Sequence, residues 1–290
     1  MARVLVTGIT GNVGTYVYEE LLERHQAVKG AVSSVPKAKD KYRDAELVGF
    51  DFLDKNTFER ALYDVDRVFL MRPPQIGNPE DLYPFIEAMK EKKVKLVVFL
   101  SLMGIENNPV PPHYKIEKYI EKMGLPYCHI RPGFFMQNLS GIHAEEIKES
   151  QKILIPAGRS KCSFIDAKDI GQVIAKVLSD YALYQNTTFT VTGREALDYY
   201  QVAEILSEVL NTKVTYAKPS WIRFRRHMIK ERQLDKKLVN VMVMLYFMTR
   251  LGTASAVHSD FEKLMGYKPR TLKQFAEDNK LAWMNTLDSN

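Results

Sequence analysis

The segment TGITGNVG, residues 7–14, places three glycines at a three-residue spacing directly after the first apolar run of the chain. Glycine permits a tight strand-to-helix turn and lets the backbone approach a pyrophosphate, and the following helix start offers amide donors and a positive dipole. A glycine turn without a ligand is the alternative. The segment predicts a strand–turn–helix unit that binds a dinucleotide through Gly8, Thr10, Gly11, Asn12, Val13 and Gly14.

Short β-branched runs alternate with amphipathic stretches along the first half of the chain. Such alternation is typical of a parallel sheet with right-handed crossovers. We therefore predict an α/β fold, a Rossmann-type doubly wound parallel sheet with a smaller α+β C-terminal lobe. Six strands are predicted, at residues 3–8, 27–33, 45–50, 66–71, 95–101 and 126–132.

The pattern becomes less regular after residue 131, where short strand-like runs mix with helical ones. We predict that residues 1–132 form an NAD(P)-binding Rossmann core. Residues 133–290 are predicted to be a mixed region that completes the sheet and forms the smaller substrate lobe and a helical tail.

Composition, charge and cysteine spacing argue against several classes of function. The 290 residues carry a net charge of +6 and only two cysteines, without a C-x-x-C pair, so neither a disulfide framework nor a metal cluster is implied. No zinc-finger spacing or aromatic-basic repeat predicts nucleic-acid binding. The longest apolar run, residues 238–248, is too short to span a bilayer. We expect a cytoplasmic protein that binds no metal, nucleic acid or membrane.

The residues that follow the second, third and fourth strands indicate which cofactor binds and where its parts are expected. NAD specificity favours a carboxylate after the second strand, but this chain has Ser33 and Lys37 there, which suit a 2′-phosphate. We expect NADP(H), with NAD(H) as the alternative. Adenine is expected beside Asp51 and Phe52 after the third strand. Ribose and pyrophosphate are expected beside the residues that end the fourth strand, Met71, Arg72 and Pro73.

Several motifs together resemble one family. They are VTGITGNVG, VFLMRPP, VVFLSLMG, HYKIEKYIEKMGLPYCHIRPGFFMQN, FIDAKDIGQVIAKVL and the terminal GYKPRTLKQFAEDN. The chain resembles the NmrA-like branch of the short-chain dehydrogenase/reductases, of the quinone-oxidoreductase type. The resemblance implies a Rossmann core with a small C-terminal lobe, and usually NADP. Members of that family include reductases of quinones and azo dyes, and redox sensors that bind NADP without turnover and act through a protein partner.

The segment PPHYKIEKYIEKMG, residues 111–124, contains Y-x-x-x-K and H-x-x-x-E on two helical faces. On a helical wheel His113 lies at the edge of the apolar stripe, with Glu117 a little further round, whereas Tyr114 and Lys118 lie opposite. We therefore interpret Y-x-x-x-K as coincidence. The family resemblance likewise places H-x-x-x-E here, with His113 beside the nicotinamide or ribose. Glu117 is predicted to orient His113, and both are candidate catalytic residues.

A structural role remains open for His113, as a helix-start residue bonded to the backbone. The tyrosine and serine of ordinary dehydrogenases would fall near Pro109 and Met103, so the standard proton relay is predicted to be absent. Ser101, which ends the fifth strand, is counted with the cofactor-binding residues.

The segment RPGFFMQN follows the sixth strand. Pro132 and Gly133 are expected beside the nicotinamide. A flat apolar substrate pocket is predicted from Phe134, Phe135, Met136 and Asn138, with plain core packing as the alternative.

The tail carries a basic segment followed by an apolar one. Trp221, Phe224 and Met228 share a helical face, from which Arg225, Arg226 and Lys230 point away. A lid helix, a dimer surface and a docking site for an acidic partner all remain open.

The predicted function is NADP(H)-dependent reduction of quinone-like or other small conjugated acceptors. The main alternative is a non-catalytic NADP(H) sensor that acts through a protein partner. Epimerase or dehydratase chemistry ranks third, because the tyrosine it needs is missing. A protein partner or a homodimer remains open.

Overall fold

The computed structural model describes residues 3–284, which form two compact units. The first comprises residues 3–132, 167–191 and 263–266, and the second comprises residues 133–166, 192–262 and 267–284. Within the described range, no helix is both long and apolar enough to cross a membrane.

The first unit is built on a seven-stranded parallel sheet with the order β10-β6-β5-β4-β1-β2-β3. Strand order reverses between β1 and β4, which creates a switch point at the carboxyl ends of the strands. The six strands predicted in the first half are confirmed, with ends that agree to within one residue. The strands are β1 (Arg3–Thr7), β2 (Val28–Val32), β3 (Glu46–Gly49), β4 (Val65–Leu70), β5 (Leu96–Leu100), β6 (Tyr127–Pro132) and β10 (Thr187–Val191).

Helices cover both faces of this sheet, so the predicted doubly wound α/β fold is confirmed. Alternate residues of the buried strands point to opposite faces. Val97 and Phe99 of β5 pack with α3, α4 and α5, whereas α1 and α8 pack on the other face. These helices are α1 (Gly14–Glu23), α2 (Val35–Lys39), α3 (Phe58–Leu62), α4 (Tyr83–Glu91), α5 (Pro112–Lys122) and α8 (Ala167–Ser179).

The second unit has two short parallel strand pairs, β7 (Phe134–Phe135) with β9 (Phe164–Ile165) and β8 (Lys152–Ile153) with β11 (Thr215–Tyr216). Its helices are α6 (Gln137–Ser140), α7 (Ala144–Ser150), α9 (Tyr199–Leu210), α10 (Trp221–Lys230), α11 (Lys236–Arg250) and α13 (Leu272–Asn279), and α12 (Asp260–Met265) contains residues of both units. Tyr199, Phe224 and Phe275 are fully buried in the core of this unit.

Candidate functional site

The glycine turn lies between β1 and α1, at the switch point of the sheet. Gly8 has φ +65°, and the Gly11 amide donates to the Gly8 carbonyl at 2.9 Å. A Cβ on Gly14 would collide with that same carbonyl, so a side chain at residue 14 would push helix and turn apart. Thr10 and Asn12 are exposed at the tip of the turn, and Val13 is buried beneath it.

The start of α1 has no side-chain cap. Val13 at the N-cap provides no side-chain hydrogen bond, and the first turn contains no acidic residue. The turn is fixed from behind, because Tyr42 Oη donates to the Ile9 carbonyl at 2.9 Å and Thr15 Oγ1 donates to it at 3.0 Å. A rigid turn that leads into an uncapped helix start, with its positive dipole, suits a phosphate.

The predicted 2′-phosphate residues follow β2 at the same edge of the sheet. Ser33 is exposed directly after the strand, and Lys37 is exposed on the short helix α2. After β3, Asp51 is exposed and its carboxylate accepts from the Leu53 amide at 2.9 Å. Phe52 is only 6% exposed and packs edge-on against Phe50 and Phe85, so its ring serves the core.

Arg72 provides a cation at the end of β4. Its Nη1 donates to the carbonyls of Pro73, at 3.2 Å, and Ile76, while its Nε is buried without a hydrogen-bond partner among residues 3–284. Burial lowers the pKa of Arg72, and no carboxylate within this range pairs with it. Met71, the preceding residue, packs its side chain against Gly8.

His113 is the second residue of α5 and is neutral at physiological pH. Burial, and then the charge of Arg72, lower the pKa of His113 to about 3. Its Nδ1 is buried and has no hydrogen-bond partner in the described part of the chain, and its ring lies 6.0 Å from that of Phe99. The backbone bond considered as a structural role does not engage Nδ1. The imidazole is therefore suited to hydrogen bonding rather than to donating a proton as a cation.

Glu117 does not orient His113 through Nδ1, contrary to the prediction from H-x-x-x-E. Arg131 of β6 donates from Nε to Glu117 Oε1 at 3.0 Å and from Nη2 to Oε2 at 2.7 Å. Burial raises the pKa of Glu117, but the hydrogen bond from Arg131 and the hydroxyl of Ser101 help to bring that pKa below its usual value. The bidentate pair uses both carboxylate oxygens to tie α5 to β6.

A neighbouring cluster contains metal-ligand side chains. Ligand atoms of Glu117, Glu121 and His129 all lie within 4.8 Å of one another. However, Arg131 neutralises Glu117, and Lys118 Nζ donates to Glu121 at 2.7 Å. A divalent cation would have to compete with both ion pairs, so we assign the cluster a structural role rather than metal binding.

Lys118 and Tyr114 lie as the helical wheel predicts, away from the buried face of α5. The Lys118 side chain is 52% exposed, whereas Ile116 and Ile120 are fully buried. Ser101 is buried at the end of β5, where its amide donates to the Ile130 carbonyl at 2.8 Å. Pro132 ends β6 at the same edge of the sheet.

The predicted substrate residues begin the second unit. A Cβ on Gly133 would collide with the Ser163 carbonyl, so this backbone position requires glycine. Phe134, Phe135 and Asn138 are half-buried. Met136 is 2% exposed and belongs to the core of its unit, as the alternative interpretation of this segment expected.

Two residues of the site were not identified from the sequence. Arg131 is the only charged residue in the predicted strand 126–132, and that isolation was a usable signal for a buried partner. Tyr42 lies in a polar loop, and no local pattern connects it with the glycine turn.

Comparison with known proteins agrees with this architecture. A sequence model of the NmrA-like family matches residues 1–276. Prestalk A differentiation protein A of Dictyostelium discoideum is 28% identical over 95% of this chain and 91% of its own length. NAD(P)H azoreductase of Xenophilus azovorans is 28% identical over 97% of this chain and 99% of its own length.

A solved structure has the same fold. An NADPH-dependent quinone oxidoreductase from Escherichia coli, in complex with NADPH, superimposes with a TM-score of 0.85 at 23% identity, covering 95% of this chain and 99% of that protein. Because the family model matches nearly the whole sequence, the chain belongs to the NmrA-like family.

Proposed function

We propose that this protein binds NADP(H) and reduces quinone-like or other small conjugated acceptors. The observation that carries the proposal is the uncapped start of α1 behind a turn in which Gly14 leaves no space for a side chain. The azoreductase and the quinone oxidoreductase among the similar proteins support the same chemistry. When bound, NADPH supplies the hydride.

The residues at the carboxyl edge of the sheet divide the binding task. The glycine turn and the α1 amides hold the pyrophosphate, and the unpaired Arg72 compensates its charge. Ser33 and Lys37 bind the 2′-phosphate. His113, as a neutral imidazole, makes a hydrogen bond to the ribose or nicotinamide.

The choice of a quinone-like acceptor follows from which side chains of α5 could donate a proton. His113 is neutral, Glu117 is held by Arg131, and Lys118 faces away from the buried side of α5. None of these three is an acid placed for catalysis, and general acid catalysis is typically worth about 10²–10⁴-fold. A quinone accepts hydride readily and takes its protons from water. Phe134, Phe135 and Asn138 are the residues that we propose to contact it.

Gly14→Ala tests the cofactor site. We expect NADPH binding to weaken by about tenfold or more (~1.4 kcal/mol), because the methyl group separates the helix start from the turn. Gly49→Ala is the matched control, since a Cβ there meets no atom within 4 Å. Fluorescence titration measures NADPH affinity, and assays of NADPH oxidation with quinones and an azo dye measure turnover. Unchanged NADPH affinity in Gly14→Ala would contradict the proposed cofactor site. Tight NADPH binding by the wild type without turnover would favour a non-catalytic sensor.

Lys37→Glu tests the cofactor preference. We expect NADPH affinity to fall by about tenfold (~1.4 kcal/mol) with NADH affinity unchanged, because only NADPH carries the 2′-phosphate. Lys122→Glu, at an exposed position in the last turn of α5, controls for the change in net charge. Equal dissociation constants of the wild type for NADPH and NADH would contradict the preference.

A further inference from the structure

The outer face of α10 carries exposed cations. Phe224 and Met228 are buried on one side of the helix, whereas Arg223, Arg226 and Lys230 are exposed on the other. These three cations form no ion pair within residues 3–284. Ile222, which lies among them, is 82% exposed. A large apolar side chain is therefore held in solvent between positive charges.

The outer face of α11 is apolar. Val239 and Met242 are buried on its inner side, but Val241, Met244 and Leu245 on the opposite side are 49%, 43% and 41% exposed. Leu251, which follows the helix, is 62% exposed. Scattered apolar residues are common on protein surfaces, but a contiguous exposed apolar strip, here from residue 241 to residue 251, marks an interaction site.

The net charge of the protein is concentrated in this segment. Residues 221–251 contain eight lysines and arginines against two acidic residues, a net charge of +6. The whole chain has 41 basic and 35 acidic residues, which leaves 33 of each outside the segment. The excess of positive charge is thus concentrated in residues 221–251. Arg232, which lies between the two helices, is paired with Glu145 and Glu146, whereas the three cations on the outer face of α10 are not paired within residues 3–284.

The two helices pack side by side, and side-chain contacts cross the groove between them. The rings of Trp221 and Phe247 lie 5.9 Å apart, and Arg225 Nε donates to Asn240 Oδ1 at 3.0 Å. A partner helix needs an open apolar groove to dock. The helix pair, bridged in this way, instead presents two adjacent outer faces, one cationic and one apolar, which suits a broad and deformable partner.

We propose that this α10–α11 surface binds the face of an anionic lipid bilayer. The apolar side chains of α11 and Ile222 enter the boundary between head groups and acyl chains, while the arginines and lysines contact lipid phosphates and carboxylates. A second copy of the chain is a poorer occupant, because symmetric pairing would bring two sets of unpaired cations together. The proposal revises the expectation of no membrane partner, which considered only a spanning segment.

Vesicle sedimentation tests the proposal with the full chain. We expect binding to vesicles of phosphatidylcholine with phosphatidylserine, weakening at high salt, and little binding to phosphatidylcholine alone. Reversing three cations in R223E/R226E/K230E should weaken binding by about 100-fold or more, at about fivefold per cation. The matched control K55E/K93E/K122E makes the same change in net charge at exposed lysines elsewhere and should bind as the wild type does.

A second pair of variants tests the apolar contribution. Leu245→Ser with Leu251→Ser should weaken vesicle binding by about tenfold or more, because each serine removes apolar area that the bilayer would cover. Leu183→Ser with Leu281→Ser removes two leucines that are even more exposed, at 76% and 70%, elsewhere in the chain and should have no effect. NADPH affinity and circular dichroism verify folding in every variant.

Three results would overturn the proposal. The first is wild-type protein that remains in the supernatant with phosphatidylserine vesicles. The second is an equal loss of binding in the K55E/K93E/K122E control, which would indicate an unspecific charge effect. The third is a dimer, detected by light scattering, that dissociates in the Leu245→Ser, Leu251→Ser variant, which would assign the apolar face to a second copy.

Discussion

His113 combines three properties that define what it can do. It lies in the first turn of α5, its Nδ1 is buried without a partner among the described residues, and its pKa of about 3 keeps it neutral. Burial and the charge of Arg72 both disfavour the imidazolium, so His113 is poorly suited to carry a proton at neutral pH. A neutral ring can still position a ribose or an amide.

His113→Gln separates positioning from acid catalysis. We expect NADPH affinity to fall by about two- to fivefold, because one hydrogen bond is worth about 1 kcal/mol. The pH profile of turnover should show no titration near 6.5 in either the wild type or the variant. Stopped-flow rates from pH 5.5 to 8.5, together with NADPH titration, provide the measurement.

Tyr114→Phe is the comparison on the other face of the same helix, and it should leave turnover within a few-fold of wild type. Normal NADPH affinity with a loss of turnover of about 10²-fold in His113→Gln would establish an acid instead. The same loss in Tyr114→Phe would restore Y-x-x-x-K as the catalytic motif.

At the scale of elements, the Glu117–Arg131 pair joins α5 to β6. Glu117 is fully buried, and Arg131 also contacts Glu106 at 2.9 Å. The pair positions the helix that carries His113 against the strand that ends at Pro132. Glu117 thus has a structural role that H-x-x-x-E alone does not indicate.

Glu117→Gln should destabilise the protein strongly, because the buried bidentate pair is lost and only the partly exposed Glu106 carboxylate still pairs with Arg131. We expect a loss of about 3–5 kcal/mol in the free energy of unfolding. Glu121→Gln removes a partly exposed carboxylate from the same helix and should cost about 1 kcal/mol or less. Urea denaturation of both variants at pH 7.5 gives the comparison, and equal losses would contradict this role.

Whether these elements could be predicted depends on whether the sequence pattern that indicates them lies within one stretch of the chain. The glycine turn and β1 to β6 were predictable, because apolar runs and glycine spacing are read along the chain. The two-residue strands β7 and β11 carry no periodicity. The Arg131–Glu117 contact joins residues on two elements, and Tyr42 reaches the turn across 33 positions. The burial that neutralises His113 is likewise a property of packing.

At the scale of the whole molecule, buried neutral histidines couple stability to pH. Burial lowers the pKa of His129 to about 4, and Arg131 acts with it, while Glu117 and Glu121 act against it. The unfolded chain binds a proton at this residue below about pH 6.5, whereas the folded protein does so only near pH 4. Stability present above pH 6.5 is therefore lost as the pH falls towards 4.

His129→Phe should flatten that dependence. We expect the slope of unfolding free energy against pH, between pH 4.5 and 6, to decrease by about 1.4 kcal/mol per pH unit, the contribution of one proton. His258→Phe, at an exposed histidine, should leave the slope unchanged. Urea denaturation across this range measures it, and an unchanged slope in His129→Phe would show that the folded protein protonates His129 as readily as the unfolded chain.

The first unit is assembled from separate stretches of chain, and this affects how it can be made. β10 pairs with β6, and Gly171 of α8 packs closely against Tyr16 of α1, so residues 167–191 complete a unit whose glycine turn is synthesised first. Until those residues leave the ribosome, β6 is an open sheet edge and one face of α1 is uncovered. A nascent chain stalled near residue 132 should therefore recruit chaperones, and expressing residues 1–132 alone should yield aggregates rather than a minimal nucleotide-binding domain.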